Sequence, residues 1–158
     1  MKLHGRFRVA RAQFINDPAF ELAMSKVGSK FPEVAEKALK AGAGVIANEM
    51  KKRLKSVLSN KATGQLVAAF GITPVRQDKN FNYNTHLGFD GYQRPGYGKF
   101  ESTGVPFQLI ARTFESGAGT WRLPKPFAKP AVNASKQEAF AVMRKTAEDE
   151  LIKIMKGR

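Results

Sequence analysis

Few side chains in this sequence could carry a reaction. There are two histidines, thirteen acidic residues and no cysteine, so no thiolate nucleophile, disulfide framework or cysteine-ligated metal can form. His4 lies in a basic N-terminal stretch, and His86 lies in a candidate strand among apolar Leu87 and Phe89. With Tyr92, Arg94 and Tyr97 close behind it, His86 has the ingredients of general acid–base RNA cleavage. A lone strand histidine is more often a surface or hydrogen-bonded structural residue. Glu148, Asp149 and Glu150 are consecutive on one helix and point in different directions, which does not make a metal site. Gly96-Tyr97-Gly98 has neither the strand before it nor the helix after it that a phosphate loop requires. The sequence therefore predicts no catalytic residue, no metal and no cofactor, and a non-enzymatic protein.

Binding chemistry is better represented. The formal net charge is +14, with Lys and Arg exceeding acids in every third of the chain. A field of this sign favours polyanions or acidic protein surfaces. Tyr92, Arg94, Tyr97, Lys99 and Phe100 interleave rings and cations on a glycine-rich loop, a pattern that can stack bases and hold phosphates. The same residues suit a loop that docks on a protein neighbour. That reading is favoured because the flanking strands lack the repeated aromatics of an RNA-binding sheet. Arg6, Arg8 and Arg11, in a candidate N-terminal arm over 1–16, join Tyr92, Arg94, Tyr97 and Lys99 as expected partner or DNA contacts.

The elements that must position these residues follow from periodicity. Residues 3–9 alternate like a half-exposed strand. Asp17-Pro18 opens a short helix expected to end at Gly28. A long helix is predicted over 32–58, where Val34, Ala38, Leu39, Val45, Ile46, Met50, Leu54, Val57 and Leu58 recur at three- and four-residue intervals. Gly42 and Gly44 sit in its middle, either as a close helix contact or as a tolerated weak turn. A sheet and loop are expected over 71–115, with strands at 71–76 and 83–89 joined by a polar turn at 77–82. A second long helix is expected over 130–156. This order, without βαβ alternation, predicts an α+β fold in one domain: two long helices on a small antiparallel β-sheet, with a long Gly/Pro/Tyr-rich loop. No run approaches the ~18 apolar residues of a membrane span, so no membrane association is expected.

One stretch specialises in fixing geometry. Phe114, Glu115 and Gly117 lead into Pro124, Pro126, Phe127, Pro130 and Ala131. Each proline locks φ and removes a backbone donor, so 123–130 should be an extended strap, with Phe127 as its apolar anchor and Pro130 as first residue of the final helix. Upstream, Thr63, Gly64 and Leu66 mark a helix stop and a new start. These two motifs, in this order between two long helices, resemble a family of phage tail components named after the tenth gene product of a lambdoid siphophage. The resemblance covers roughly residues 32–156.

It implies a structural virion protein in the neck of a long-tailed phage, made in the host cytoplasm. Such a tail-completion or head-to-tail joining subunit would assemble with itself into a ring, of about six copies, through which DNA passes with only transient, non-specific contact. Its partners would be the tail tube or tail terminator and head-connector proteins. A free-standing, non-enzymatic nucleic-acid-binding protein is the alternative that explains the charge directly.

Overall fold

The computed structural model describes residues 18–58, 64–94, 101–118 and 123–157, with side chains from residue 21 onward. The described chain is mostly helical with small antiparallel ladders, broadly α+β. Its elements are α1 (Pro18–Val57), α2 (Gln65–Ala68), β1 (Phe70–Ile72), β2 (Arg76–Gln77), β3 (Tyr83–Asn84), β4 (Leu87–Phe89), β5 (Tyr92–Gln93), β6 (Val105–Pro106), α3 (Phe107–Ser116) and α4 (Ala128–Met155). The N-terminal arm expected over 1–16 and its Arg6, Arg8 and Arg11 lie outside the described residues, as do His4, Thr63, Tyr97 and Lys99.

α1 and α4 pack against each other and run in opposite directions. Lys37, midway along α1, pairs with Glu150 near the end of α4, whereas Leu54 near the end of α1 shares a core with Phe127 and Ala131 at the start of α4. Glu150 also accepts from Lys153, and those two ammonium partners, Lys153 before Lys37, hold its carboxyl below the ordinary glutamate range. At 40 residues, α1 is roughly 60 Å long, and it begins well before the expected residue 32. The sequence places a break between Gly28 and Pro32, yet the helix runs through both. Pro32 removes the donor that would bond the Gly28 carbonyl. Both residues are exposed, so water can satisfy that carbonyl and the turn need not open.

The two mid-helix glycines have different roles. A Cβ on Gly42 would meet Met143 Cγ at 2.2 Å and the Ala139 carbonyl oxygen at 3.2 Å, whereas a Cβ on Gly44 would meet nothing within 4 Å. Gly42 is therefore a close contact with α4, and Gly44 is a tolerated weak turn. Gly42→Val should lose about 1–3 kcal/mol by overpacking, with partial recovery when Met143→Ala is added. Gly44→Ala should gain about 0.5–1 kcal/mol from helix propensity. Urea denaturation of the single and double variants measures both.

The strands form three separate two-stranded antiparallel ladders rather than one sheet: β1 with β4, β2 with β3, and β5 with β6. The first two belong to one hairpin in which Phe70 faces Phe89 and Arg76 faces Asn84. Pro74 lies between them and has no N–H to give a ladder. Thr73 and His86 bridge the gap instead: Thr73 N donates to His86 O at 2.9 Å, and His86 N donates to Thr73 Oγ1 at 2.9 Å.

The segment expected to close the sheet-and-loop region at 115 is helical from Phe107 onward. Its apolar residues Phe107, Ile110, Ala111 and Phe114 fall at the i, i+3, i+4, i+7 spacing of a helix face, and Phe107, Ala111 and Phe114 are buried. They pack with Leu54, Leu66, Phe70, Phe127 and Ala131 in one core cluster.

Candidate functional site

The start of α4 is the most tightly specified place in the described chain. A helix N-terminus leaves four backbone donors without helical partners, and here each is accounted for. Phe127 N and Ala128 N donate to Glu115 Oε2 at 2.8 and 2.9 Å, and Lys129 N donates to Glu115 Oε1 at 3.0 Å. The fourth position is Pro130, which has no N–H. One carboxylate from the last turn of α3 thus caps a helix a dozen residues further along the chain. The Lys125 N–H, donating to Phe114 O at 2.7 Å, adds a backbone tie between the same two segments. Burial pushes the Glu115 carboxyl upward, but the N–H groups of Ala128, Lys129 and Phe127, with the Lys129 charge, outweigh it and hold it below the ordinary glutamate value. A negative group at a helix N-terminus is also favoured by the helix dipole.

Pro130 is accordingly the third residue of α4 and not its first, because the Glu115 cap lets the helix begin at Ala128. Pro124 and Pro126 stay exposed in the approaching strap. Phe127 turns inward and is 2 % exposed, meeting Phe89 edge-on at 6.1 Å. Ala131, one turn on, is fully buried. Gly117 has φ 77°, the left-handed region, and follows α3 directly. Side-chain size at 131 and backbone sign at 117 are therefore both set by position.

The upstream motif reaches the same place. Gly64, with φ 75°, opens α2, and Leu66 lies in the cluster that holds Phe114, Phe127 and Ala131. Two motifs some fifty residues apart thus meet in one core. Spacing along the chain does not reveal that meeting, and it does not reveal Glu115 as an acceptor for three successive amides.

The other expected contact residues are dispersed. Tyr92 and Arg94 are exposed and line an open groove with Ala68, Ala69, Asp90 and Phe107, at the root of the β1–β4 ladder. His86 is exposed, and among the described residues it is engaged through its backbone in the Thr73 bridge. Among the described residues, no group of three or more His, Cys, Asp or Glu could hold a metal ion, and no helix is long and apolar enough to cross a membrane. At the α3–α4 junction the Glu115 carboxylate holds geometry by accepting from three successive amides of the next helix.

No curated protein and no solved structure matches this chain. A family pattern does match, from α1 through most of β4. It begins earlier than the expected residue 32 and includes the Gly64–Leu66 motif, but it ends before the Glu115–Phe127 junction. Over residues 19–88, the chain carries the pattern of the HK97-gp10-like family, described as "Bacteriophage HK97-gp10, putative tail-component".

Proposed function

We propose that this chain is a structural component of a phage tail, acting as a single domain in the neck, where copies of it form a ring at the joint between tail tube and head. The match of residues 19–88 to a tail-component family carries this reading. A junction devoted to fixing the start of a long helix agrees with a part that must hold its shape and does no chemistry. In this role the protein acts in the virion, and its partners are its own copies, tail tube or terminator proteins, and head-connector proteins. Thr63, Gly64, Leu66, Phe114, Glu115, Gly117, Pro124, Pro126, Phe127, Pro130 and Ala131 maintain the scaffold. Arg6, Arg8, Arg11, Tyr92, Arg94, Tyr97 and Lys99 are the candidates for partner or DNA contact.

The charge favours a second reading as a nucleic-acid binder. Lys and Arg outnumber Asp and Glu by 27 to 13 over the chain, a field that attracts phosphates. Phosphate binding would weaken steeply as salt rises. Gold-labelled antibody on intact virions tests the main reading. Label at the head–tail joint is expected, and virions without label would overturn it. A gel-shift titration at rising salt measures the rival.

A further inference from the structure

The tip of the β2–β3 hairpin places a phenylalanine where the backbone calls for glycine. Lys79, Asn80 and Phe81 form a three-residue loop: Asp78 N donates to Asn82 O at 2.9 Å, and Phe81 N donates to Asp78 O at 3.1 Å. Loops of this kind end in a left-handed residue that is normally Gly or Asn. Here that residue is Phe81, with φ 63°, the one non-glycine of positive φ among the described residues. The Asp78 carboxylate fixes the arrangement, accepting from Asn80 N at 2.8 Å, Asn82 N at 2.9 Å and Asn82 Nδ2 at 3.2 Å. Phe81 is also 79 % exposed. The chain thus bears a left-handed strain on the order of 1 kcal/mol and an uncovered aromatic ring at one position. Asparagine, which would relieve both, stands on either side of it. A backbone outlier held firmly by its surroundings is a pointer to function.

The complement lies at the other end of the same hairpin. The groove at its root has a volume of about 410 Å³ and is lined by Ala68, Ala69, Tyr92 and Phe107, with Asp90 and Arg94, a size typical of sites that take a small apolar group. Tyr92 is 56 % exposed there. Tip and root are separated by on the order of 25 Å of extended chain, so the Phe81 ring cannot fill the groove of its own chain. Each feature carries one charge of either sign, Asp78 and Lys79 beside the ring and Asp90 and Arg94 at the groove, so the two do not repel by net charge and opposite charges are available to pair. A projection and a recess on different parts of one molecule generate head-to-tail association, which closes into a ring when the rotation permits.

We infer that Phe81 of one copy inserts into the Ala68–Tyr92–Phe107 groove of the next, making the repeating contact of a homo-oligomer. This inference rests on the ring reading above and names its interface. Two variants test it in the full chain. Phe81→Asn suits the left-handed backbone, so the melting temperature should hold or rise while the concentration for half-assembly increases about 30-fold, the loss expected for a central aromatic anchor. Because the chain has no cysteine, Phe81→Cys combined with Ala68→Cys should give a ladder of disulfide-linked multimers on oxidation. Each single-cysteine variant should stop at dimers. Unchanged assembly of Phe81→Asn, or absence of the ladder, overturns the inference. If wild-type rings are present in the same experiment, the ring reading stands without this contact; a wild-type chain that never assembles removes both.

Discussion

Phe127→Ala should cost about 3–5 kcal/mol, the usual range for emptying a buried phenylalanine site. For a chain of this length that lowers the melting temperature by roughly 10 °C or more. The effect should sit at the upper end because the site cannot collapse. Phe127 is flanked by the Pro126 ring, which restricts the backbone before it, and by the capped first turn of α4 after it. It shares one core cluster with Leu54, Leu66, Phe70 and Ala131, and Phe89 meets its ring edge-on. Removing the ring also frees the start of the helix that covers α1. Phe127→Leu should recover more than half of the loss, since it leaves a smaller void. Leu123→Ala, in the same strap but 83 % exposed, should change stability by less than about 0.5 kcal/mol. Thermal and urea denaturation of the three variants read this directly.

Glu115→Ala should cost about 2 kcal/mol, the upper part of the range for losing a helix cap. Three amides lose their acceptor at once, but all lie near enough to water for partial compensation. Glu115→Gln keeps one acceptor oxygen and turns an N–H toward the same amides, so it should lose about half as much. The pH dependence has a definite sign. The folded carboxyl titrates below its unfolded counterpart, so its contribution is fully present above the ordinary glutamate value of about 4.3. It is lost as pH falls from there through the folded value. Asp78 and Glu150 are lowered too, so the wild-type curve alone is ambiguous. The difference between wild type and Glu115→Gln isolates the cap: it should be constant above about pH 5 and shrink toward zero in stronger acid. A difference that does not change with pH would show that Glu115 acts by packing and not through its charge.

What was legible in the sequence follows from which forces act locally. The helix pair can be read because its apolar stripe repeats over many turns, and periodicity survives small local errors. Gly28 and Pro32 look like punctuation because each costs a helix interior free energy, but their exposure lets water take the freed carbonyl and the helix continues. α3 carries helical spacing at Phe107, Ile110, Ala111 and Phe114, hidden because it directly follows a glycine- and proline-rich run and falls within the sheet and loop expected over 71–115. Pro130 marks the start of α4 two residues too late for a deeper reason. Its cap comes from Glu115, outside the helix, and no scan for a local N-cap residue can find a cap supplied from another element. The meeting of Leu66 with Phe127, and the spare Phe81 at a hairpin tip, exist only once the chain is folded. The single sheet expected from two strand segments became short ladders because Pro74 interrupts the hairpin.

The proposed role requires that this chain assemble with itself. The most direct test is the mass of the purified wild-type protein by light scattering at low and high salt, with the same fractions imaged by electron microscopy. Closed rings of uniform size that persist at high salt are predicted, because the proposed contact is an aromatic ring in a largely apolar groove and salt does not screen it. A chain that stays monomeric at every concentration and shifts DNA with an affinity falling steeply with salt would contradict the account and identify a nucleic-acid binder.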